Sequence, residues 1–229
     1  MTPTTPLIVF DVNETLSDMS PLAERFREIG APASLSALWF ATLLRDGFAL
    51  TASGDHASFA EIGADALRRL VVGLELDRAH EAAVAHVMSG LVGLDVHADV
   101  PEGIRLLSAA DCRLVTLSNG SARIAEALLQ TAGIRSEFEA LLSVDDAPAW
   151  KPARSAYDYA ATVCGTEPAD MMLVAVHPWD IHGAARAGLR TAWLNRSGER
   201  YPAYFEAPTV TVADLTELPA ALGVTVHMS

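Results

Sequence analysis

The segment LIVFDVNET, residues 7–15, is the stretch from which the architecture of the chain is inferred. Its first four residues are apolar without alternation, a pattern typical of a short strand buried on both faces of a parallel sheet. Asp11 follows that strand directly, so a carboxylate stands at the strand's carboxyl end. Because ligands of open α/β sheets bind beyond the carboxyl ends of the strands, the segment predicts a sheet strand with a polar site at its end.

The same apolar signal recurs along the chain, separated by helical patterns. The further predicted strands are 112–118, 141–144, 171–176, 191–195 and 209–212. The helical patterns between them are 101–110, 121–133, 152–165 and 180–188. Strands that alternate with single helices favour right-handed βαβ units, so we predict an α/β fold with an open parallel sheet.

Residues 17–98 interrupt this alternation. They contain no convincing strand, and the four helical stretches predicted there are 20–30, 34–50, 57–72 and 77–91. We therefore predict a core domain of residues 1–16 and 99–229, with a helical cap domain of residues 17–98 inserted after the first strand. A cap in this position is expected to close over the strand ends.

Composition limits the classes of partner. The 229 residues carry a net charge of −13, which disfavours nucleic acid and anionic membranes. The longest apolar runs are far below the ~20 residues that span a bilayer. Cys112 and Cys164 form no disulfide framework, and the segment MTPTTPLIVF lacks the features of an export signal. A cytoplasmic protein is the expectation.

Polar residues follow several of the predicted strands. They are Asp11 and Thr15 after the first strand, Ser118 and Asn119 at the end of the second, Lys151 at the start of the helix after the third, and HPWD (177–180) at the end of the fourth. Carboxylates, hydroxyls and an ammonium thus converge on one edge of the sheet. Such convergence favours an enzyme site.

The order of these motifs resembles the haloacid dehalogenase superfamily and, within it, the type II 2-haloacid dehalogenases. The resemblance covers nearly the whole chain. It implies a Rossmann-like core with a helical-bundle cap, hydrolysis of short 2-haloalkanoic acids without a cofactor, and a homodimer. It implies Asp11 as the nucleophile, with Lys151 and Asp180 as a supporting ion pair. The residues it places at the nucleophile or the substrate are Thr15, Ser118, Asn119, Tyr157 and Trp179.

The chemistry of dehalogenation fits these side chains. An ionised Asp11 at a strand end can displace a halide from the carbon next to a carboxylate and form an ester. Lys151 would keep that buried carboxylate ionised. The alternatives are that Asp11 caps a helix or turn and that Lys151 is a solvated helix start.

Departures from the superfamily pattern bear on the reaction. Superfamily phosphatases usually carry a second aspartate two positions after the nucleophile, where this chain has Asn13, and an amide cannot protonate a leaving alcohol. A magnesium-dependent phosphatase acting on a small phosphate ester stays an alternative, with Asp145 and Asp146 as further acidic residues. A capped α/β protein without turnover is the third hypothesis, and no metal site is predicted.

The predicted cap helix at 34–50 departs from the type II pattern as well. Those enzymes commonly carry an arginine just after a Leu-Trp pair, whereas here Phe40 follows Leu38-Trp39 and is assigned to substrate binding. Arg45 lies on another face of the helix. The helix is apolar on more than one face, with one stripe of Leu35, Leu38, Trp39 and Thr42 and a second group of Phe40, Leu43, Leu44 and Gly47 around it. One of the two is expected to pack inside the cap and the other to roof the active site, and the alternative is that all of it is cap core.

Two further replacements suggest how the ester is cleared. Glu14 stands where the family usually has glycine, and His177 stands where its fourth motif usually has asparagine. A histidine paired with a carboxylate commonly activates water, so we predict a general-base dyad of Glu14 and His177. The alternative is that His177 caps the following helix and Glu14 pairs with a surface arginine. The histidines predicted to be structural, without zinc-site spacing, are His56, His80, His86, His97, His182 and His227.

Overall fold

A six-stranded parallel sheet forms the centre of the computed structural model, which describes residues 6–225. The first five residues, part of the segment searched for an export signal, and His227 lie outside the described residues. The strands are β1 Leu7–Phe10, β2 Arg113–Ser118, β3 Ala140–Ser143, β4 Met171–Ala175, β5 Arg190–Leu194 and β6 Val210–Val212. Their order across the sheet is β3-β2-β1-β4-β5-β6. The predicted parallel α/β fold is confirmed.

Strand β1 pairs with β2 on one side and with β4 on the other. Phe10, its last residue, is opposite Thr116 in β2 and Val174 in β4. The strand order reverses direction between β1 and β4, which is where open α/β sheets form a ligand crevice. The residues that follow β1, β2 and β4 therefore emerge at the same edge of the sheet.

Helices separate the strands, as the patterns predict, with ends shifted by a few residues. The first four are α1 Leu22–Arg27, α2 Leu35–Ser53, α3 Phe59–Leu70 and α4 His80–Ser89. The others are α5 Val100–Ala109, α6 Ala122–Thr131, α7 Arg154–Cys164, α8 Pro178–Ala187 and α9 Leu218–Leu222. Helix α9 is absent from the sequence prediction. Within residues 6–225, no helix combines the length and the apolar character needed to cross a membrane.

Both faces of the sheet carry apolar cores, and β1 contributes to each. Ile8 and Phe10 belong to one core with side chains of α5, whereas Leu7 and Val9 belong to the other with side chains of α7 and α8. All four β1 residues are fully buried. Since burying a side chain of this size contributes about 1.5–3 kcal/mol, these cores fix the position of the residue that follows β1.

Two motifs lie in elements other than those predicted. Strand β4 ends at Ala175 and helix α8 begins at Pro178, so residues 177–180 form the start of a helix rather than the end of a strand. Proline suits the first helical position because its φ is already helical. Lys151 lies in the loop before helix α7, and its peptide bond to Pro152 is cis. The position of Lys151 outside the helix is expected, because a residue that precedes proline is disfavoured in helical conformation.

The chain divides into two compact units. One comprises the residues up to Ser17 together with those from Asp95 onward, and it contains the sheet. The other is Asp18–Leu94 and is helical. Within the helical unit, the indole N–H of Trp39 on α2 donates to the carbonyl of Gly63 on α3 at 2.8 Å.

Helix α2 buries residues from both predicted apolar groups. Its buried residues are Trp39, Phe40, Leu43 and Gly47. Leu38 is 49% exposed, so the alternative that all of the apolar surface is cap core does not hold for it. The observed stripe advances by four residues through Trp39, Leu43 and Gly47, which follows the pitch of the helix.

Candidate active site

Asp11 is a buried carboxylate whose two oxygens are held by different donors. It follows β1 directly and is 3% exposed. Lys151 Nζ donates to Oδ1 at 2.9 Å, and Thr15 Oγ1 donates to Oδ2 at 2.6 Å. The Thr15 hydroxyl is itself fixed, because it accepts the backbone N–H of Val176 at 3.1 Å. A carboxylate held in this way has a defined orientation, which nucleophilic attack requires.

Lys151 links Asp11 to a second buried carboxylate. Its ammonium is fully buried and also donates to Asp180 Oδ2 at 2.6 Å. The backbone of Lys151 is clamped by the Asn119 side chain. Asn119 Oδ1 accepts its N–H at 3.0 Å, and Asn119 Nδ2 donates to its carbonyl at 3.1 Å. Asn119 directly follows β2, so the end of that strand positions the lysine.

Tyr157 on α7 contacts Asp180. The tyrosine side chain is fully buried, and its hydroxyl donates to Asp180 Oδ1 at 2.5 Å, with the Asp180 carbonyl at 3.2 Å. Two residues predicted as substrate contacts, Asn119 and Tyr157, thus use polar groups within the protein. Asn119 holds Lys151 and Tyr157 holds Asp180, and a contact of either residue with substrate stays a prediction.

The pKa values of the two carboxyl groups in this cluster, Asp11 and Asp180, are shifted in opposite directions. Burial raises the pKa of Asp180, against the opposing charge of Lys151 and with a further increase from Asp11. Burial also acts to raise the pKa of Asp11, but Lys151, His177 and the Thr15 hydrogen bond outweigh it and hold that pKa below its ordinary value. Burial would lower the pKa of Lys151, yet its two carboxylate partners raise it. Asp11 is therefore held ionised beside a charged lysine.

Ser118 ends strand β2 close to this cluster. Its hydroxyl accepts the N–H of Gly120 at 2.8 Å and is buried. A Cβ at Gly120 would lie 3.3 Å from Ser118 Oγ and from Asn13 Nδ2, so a larger residue there would require these two side chains to shift slightly. Of the two partners predicted for Ser118, the nucleophile or the substrate, the hydroxyl does not bind the nucleophile within the described residues and contacts the Gly120 N–H instead. A contact of Ser118 with substrate stays a prediction.

Glu14 occupies the left-handed region of backbone conformation, with a φ of 62°. This region favours glycine, and a residue with a Cβ adopts it at a cost of about 1–2 kcal/mol. The Glu14 side chain is 46% exposed. Burial raises the pKa of Glu14, the charge of His177 opposes that rise, and the charge of Asp11 adds to it. Strained residues of this kind cluster at functional sites.

His177 directs Nε2 toward oxygens that surround Asp11. Nε2 lies 3.0 Å from the Asn13 carbonyl oxygen, 3.7 Å from Asp11 Oδ2 and 3.8 Å from Glu14 Oε2. Because a carbonyl only accepts, the Asn13 contact assigns the hydrogen to Nε2. His177 occupies the N-cap position of α8, but its side chain makes no capping hydrogen bond. The alternative thus holds for the position of His177 in the chain but not for its side chain, and the Glu14 carboxylate lies beside His177.

Trp179 lies beside both His177 and Lys151. Its ring stacks on the His177 ring, with centroids 5.1 Å apart and an interplanar angle of 18°. Lys151 Nζ lies 5.9 Å from the Trp179 ring centroid, within range of a cation–π interaction. The indole is only partly buried, so part of it stays accessible for a ligand.

A cavity of about 320 Å³ opens beside Glu14 and His177. His97, Asn195 and Arg196 also line it. Its volume and the polar side chains among its lining residues suit several water molecules.

Comparison with known proteins identifies the family. A model of the haloacid dehalogenase-like hydrolases matches residues 5–188. The chain belongs to this family. The (S)-2-haloacid dehalogenase of Pseudomonas sp. (strain YL) is 30% identical over 212 residues, which cover 91% of this chain and 90% of that protein. The haloacetate dehalogenase H-2 of Moraxella sp. (strain B) is 29% identical over 207 residues, 90% of this chain and 92% of that protein.

Solved structures of dehalogenases share the fold of this haloacid dehalogenase-like hydrolase. An L-2-haloacid dehalogenase aligns with a TM-score of 0.88 and 27% identity, covering 96% of this chain and 99% of the other. A dehalogenase in an intermediate complex aligns with a TM-score of 0.87 and 26% identity, covering 96% and 98%. The predicted superfamily, its Rossmann-like fold and the hydrolase class are confirmed.

The acidic residues considered for a metal do not surround Asp11 in this haloacid dehalogenase-like hydrolase. Asp145 and Asp146 are exposed in the short 3₁₀ helix Val144–Asp146. In the part of the chain that the structure describes, no three His, Cys, Asp or Glu side chains are arranged to hold a metal ion. Asn13, two residues after Asp11, offers an amide where the superfamily phosphatases have a carboxylate.

Phe40 lies in the helical unit, 8% exposed, with its ring centroid 6.5 Å from that of Trp39. Its assignment to substrate binding stays a prediction.

Two residues outside the recognised motifs contact the turn that follows Asp11. His97 Nε2 donates to the carbonyl of Glu14 at 2.9 Å, and Arg196 Nη1 donates to the carbonyl of Thr15 at 2.9 Å. Both come from segments distant in sequence and bind backbone atoms. No local pattern indicates such a contact, and His97 was expected to be structural only.

Proposed function

We propose that this chain hydrolyses the carbon–halogen bond of short 2-haloalkanoic acids through an ester on Asp11. The observation that carries the proposal is a buried Asp11, held ionised by Lys151 and Thr15, with Glu14 and His177 directly beside it. The relatives named as (S)-2-haloacid and haloacetate dehalogenases support the substrate class.

The first step forms the ester. A carboxylate oxygen of Asp11 attacks carbon 2 of the haloacid from the side opposite the halogen, and the halide leaves with the bonding electron pair. Lys151, supported by Asp180 and Tyr157, keeps Asp11 ionised before attack. Thr15 orients it. Trp179, Ser118 and Phe40 are proposed to contact the substrate.

In the second step, water hydrolyses the ester on Asp11. Water attacks the Asp11 carbonyl carbon and gives one proton to a base, and the 2-hydroxy acid departs as Asp11 is regenerated. Since the hydrogen on His177 lies on Nε2, the nitrogen that faces both carboxylates, we assign proton acceptance to Glu14. The Nε2 hydrogen of His177 goes to the Asn13 carbonyl at 3.0 Å, and Nε2 lies 3.8 Å from Glu14 Oε2, so His177 steadies the turn that carries Glu14. This division of roles refines the predicted dyad, in which the histidine takes the proton.

The proposal also covers the role of the helical unit, the oligomeric state and the cellular location. The helical unit Asp18–Leu94 is proposed to be the cap domain. The protein works as a homodimer, which is supported by exposed apolar side chains in the helical unit, Leu38, Val72, Leu74 and Val92. It works in the cytoplasm, as its acidic composition and the free thiols of Cys112 and Cys164 suggest.

The function is tested by halide release. Chloroacetate, bromoacetate and iodoacetate are incubated with the protein in the presence of EDTA, beside p-nitrophenyl phosphate with magnesium. We expect halide release with EDTA present and no phosphatase turnover above background. Phosphate release without halide release would replace the proposal by the phosphatase alternative.

The identity of the halogen is expected to affect the rate. Phe40 stands where the type II pattern has an arginine, so no cation at this position assists departing fluoride. A hydrogen bond to a charged group contributes about 1.5–3 kcal/mol, which corresponds to about 10–100-fold in rate. Fluoroacetate should therefore react at least about tenfold more slowly than bromoacetate in parallel ion-chromatography assays. Equal rates of defluorination and debromination would contradict this prediction.

The pH dependence should separate the two steps. The pKa of Asp11 is lowered and that of Glu14 is raised, so acidification protonates Glu14 while Asp11 is still ionised. As the pH falls toward about 4.5, ester hydrolysis should slow before ester formation does, and intact-protein mass spectrometry of the unchanged protein should show the adduct with bromoacetate. In Glu14→Gln the amount of adduct should no longer depend on pH over this range. Loss of both steps at the same pH would contradict the assignment.

A further inference from the structure

The backbone of Glu14 requires support from outside its own turn. Its left-handed conformation is unfavourable for a residue with a side chain, and such conformations persist where surrounding contacts hold them. Within the turn, the Glu14 N–H donates to Ser17 Oγ at 3.3 Å, a long hydrogen bond. The Glu14 carbonyl accepts a shorter one from outside the turn, the 2.9 Å bond from His97 Nε2.

The position of His97 is set by its own backbone. The His97 N–H donates to the Leu16 carbonyl at 3.0 Å, and Ser17 and Val96 form an antiparallel bridge. The His97 carbonyl accepts the N–H of Val100 at 3.0 Å, where α5 begins. The imidazole therefore reaches Glu14 from a segment fixed on both sides. Since the Glu14 carbonyl only accepts, the hydrogen lies on His97 Nε2.

Asp11 is held by contacts that do not involve His97. Its two oxygens bind Lys151 and Thr15, and the Thr15 carbonyl is held by Arg196. Arg196 in turn pairs with Asp99 at 3.0–3.1 Å. A change at His97 thus releases the Glu14 backbone while the anchors of the nucleophile remain.

We propose that His97 is a positioning residue for ester hydrolysis, which holds the Glu14 turn so that the Glu14 carboxylate faces His177 and the adjacent cavity. This role rests on the proposed function. His97 touches neither the substrate nor the ester, and it acts through Glu14. Its loss slows the second step and leaves the first unchanged.

The test measures the two steps separately by single-turnover mass spectrometry with bromoacetate, following growth and decay of the Asp11 adduct. His97→Leu removes the donor and should slow adduct decay about tenfold, with adduct formation unchanged. His97→Gln keeps an N–H donor and should recover most of the decay rate. In the Glu14→Gln background, His97→Leu should add no further slowing. A decay rate in His97→Gln as slow as in His97→Leu would overturn the role of the hydrogen bond.

A matched control is His80→Leu. His80 Nε2 contacts a backbone carbonyl too, that of Val71 at 3.3 Å in the helical unit, and its loss should leave both steps unchanged. Equal slowing of adduct formation and decay in His97→Leu would overturn the positioning role alone. If His97→Leu fails to fold, the rate of adduct decay in His97→Gln is compared with that in the unchanged protein. His97→Gln keeps a donor, so a decay that is about tenfold slower in this variant overturns the proposal. No halide release and no adduct in the unchanged protein would overturn the proposed function as well.

Discussion

Asp11→Asn is expected to abolish halide release from every 2-haloacid while leaving the fold intact. An amide is a far weaker nucleophile than a carboxylate, and loss of a covalent nucleophile costs about 10⁴–10⁶-fold in rate. The fold should persist because asparagine has the same shape, and Lys151 retains its 2.6 Å bond to Asp180. Thr15 Oγ1 can accept the new amide N–H in place of donating. Halide release and the melting temperature measured on fresh protein check both expectations.

Two comparisons make this result specific. Asp146→Asn removes one exposed carboxylate of the same loop that precedes Lys151, and its rate should equal that of the unchanged protein. Asp11→Ser guards against slow deamidation of the introduced asparagine, since serine cannot revert to aspartate. Residual turnover of Asp11→Ser near the parental rate would show that Asp11 is not the nucleophile.

Isotope labelling then tests whether the attack is covalent. In a single turnover in ¹⁸O-water, the oxygen of the product comes from Asp11, so the first product should be unlabelled and the label should enter the Asp11 peptide. Label in the first-turnover product would show that water attacks the substrate directly. The covalent mechanism would then be wrong even if Asp11 is essential.

The sheet is the part of the structure that sequence predicts best, because burial on both faces leaves a strong local signal. LIVF at 7–10 is fully buried as expected, and Asp11 emerges beside the loops after β2 and β4. On α2 the apolar pattern does not decide which of two groups of residues is buried, because a helix that is apolar on several faces carries too little contrast. The buried residues come from both groups, and Leu38 is exposed.

The candidate site is predictable in its residue types and less so in its contacts. Asp11, Lys151 and Asp180 form one hydrogen-bonded cluster, whereas Asn119 and Tyr157 turn their polar groups to Lys151 and Asp180. These partners are set by the packing of strand ends and helix starts that are far apart in sequence. A hydrogen bond to a backbone carbonyl, such as the one from His97 to Glu14, cannot be predicted from the sequence, because every residue carries a carbonyl.

Removal of either member of the dyad should separate ester formation from ester hydrolysis. His177→Ala and Glu14→Gln leave the Lys151 and Thr15 contacts of Asp11 in place, so each should release about one halide per active site and then slow sharply. Glu14→Gln removes the general base, which costs about 10²–10⁴-fold and allows the ester to accumulate. His177→Ala removes the side chain that holds the Asn13 carbonyl next to Glu14, so it should slow ester hydrolysis in the same direction. Mass spectrometry after bromoacetate should show a persistent adduct on the Asp11 peptide. His182→Ala, a change on the same helix at a residue that binds the Glu206 N–H, should turn over normally.

Glu14→Gly provides the sharpest form of this prediction, because stability and activity should change in opposite directions. Glycine adopts the left-handed backbone without the strain of about 1–2 kcal/mol, although its greater freedom in the unfolded chain offsets about 0.5–1 kcal/mol of the gain. The free energy of unfolding should therefore rise by up to about 1.5 kcal/mol, while the lost carboxylate stalls the enzyme at the ester. Urea unfolding and adduct decay measure the two effects. A glycine variant that turns over bromoacetate at the parental rate without an adduct would show that Glu14 has no part in activating water and that another group accepts the proton.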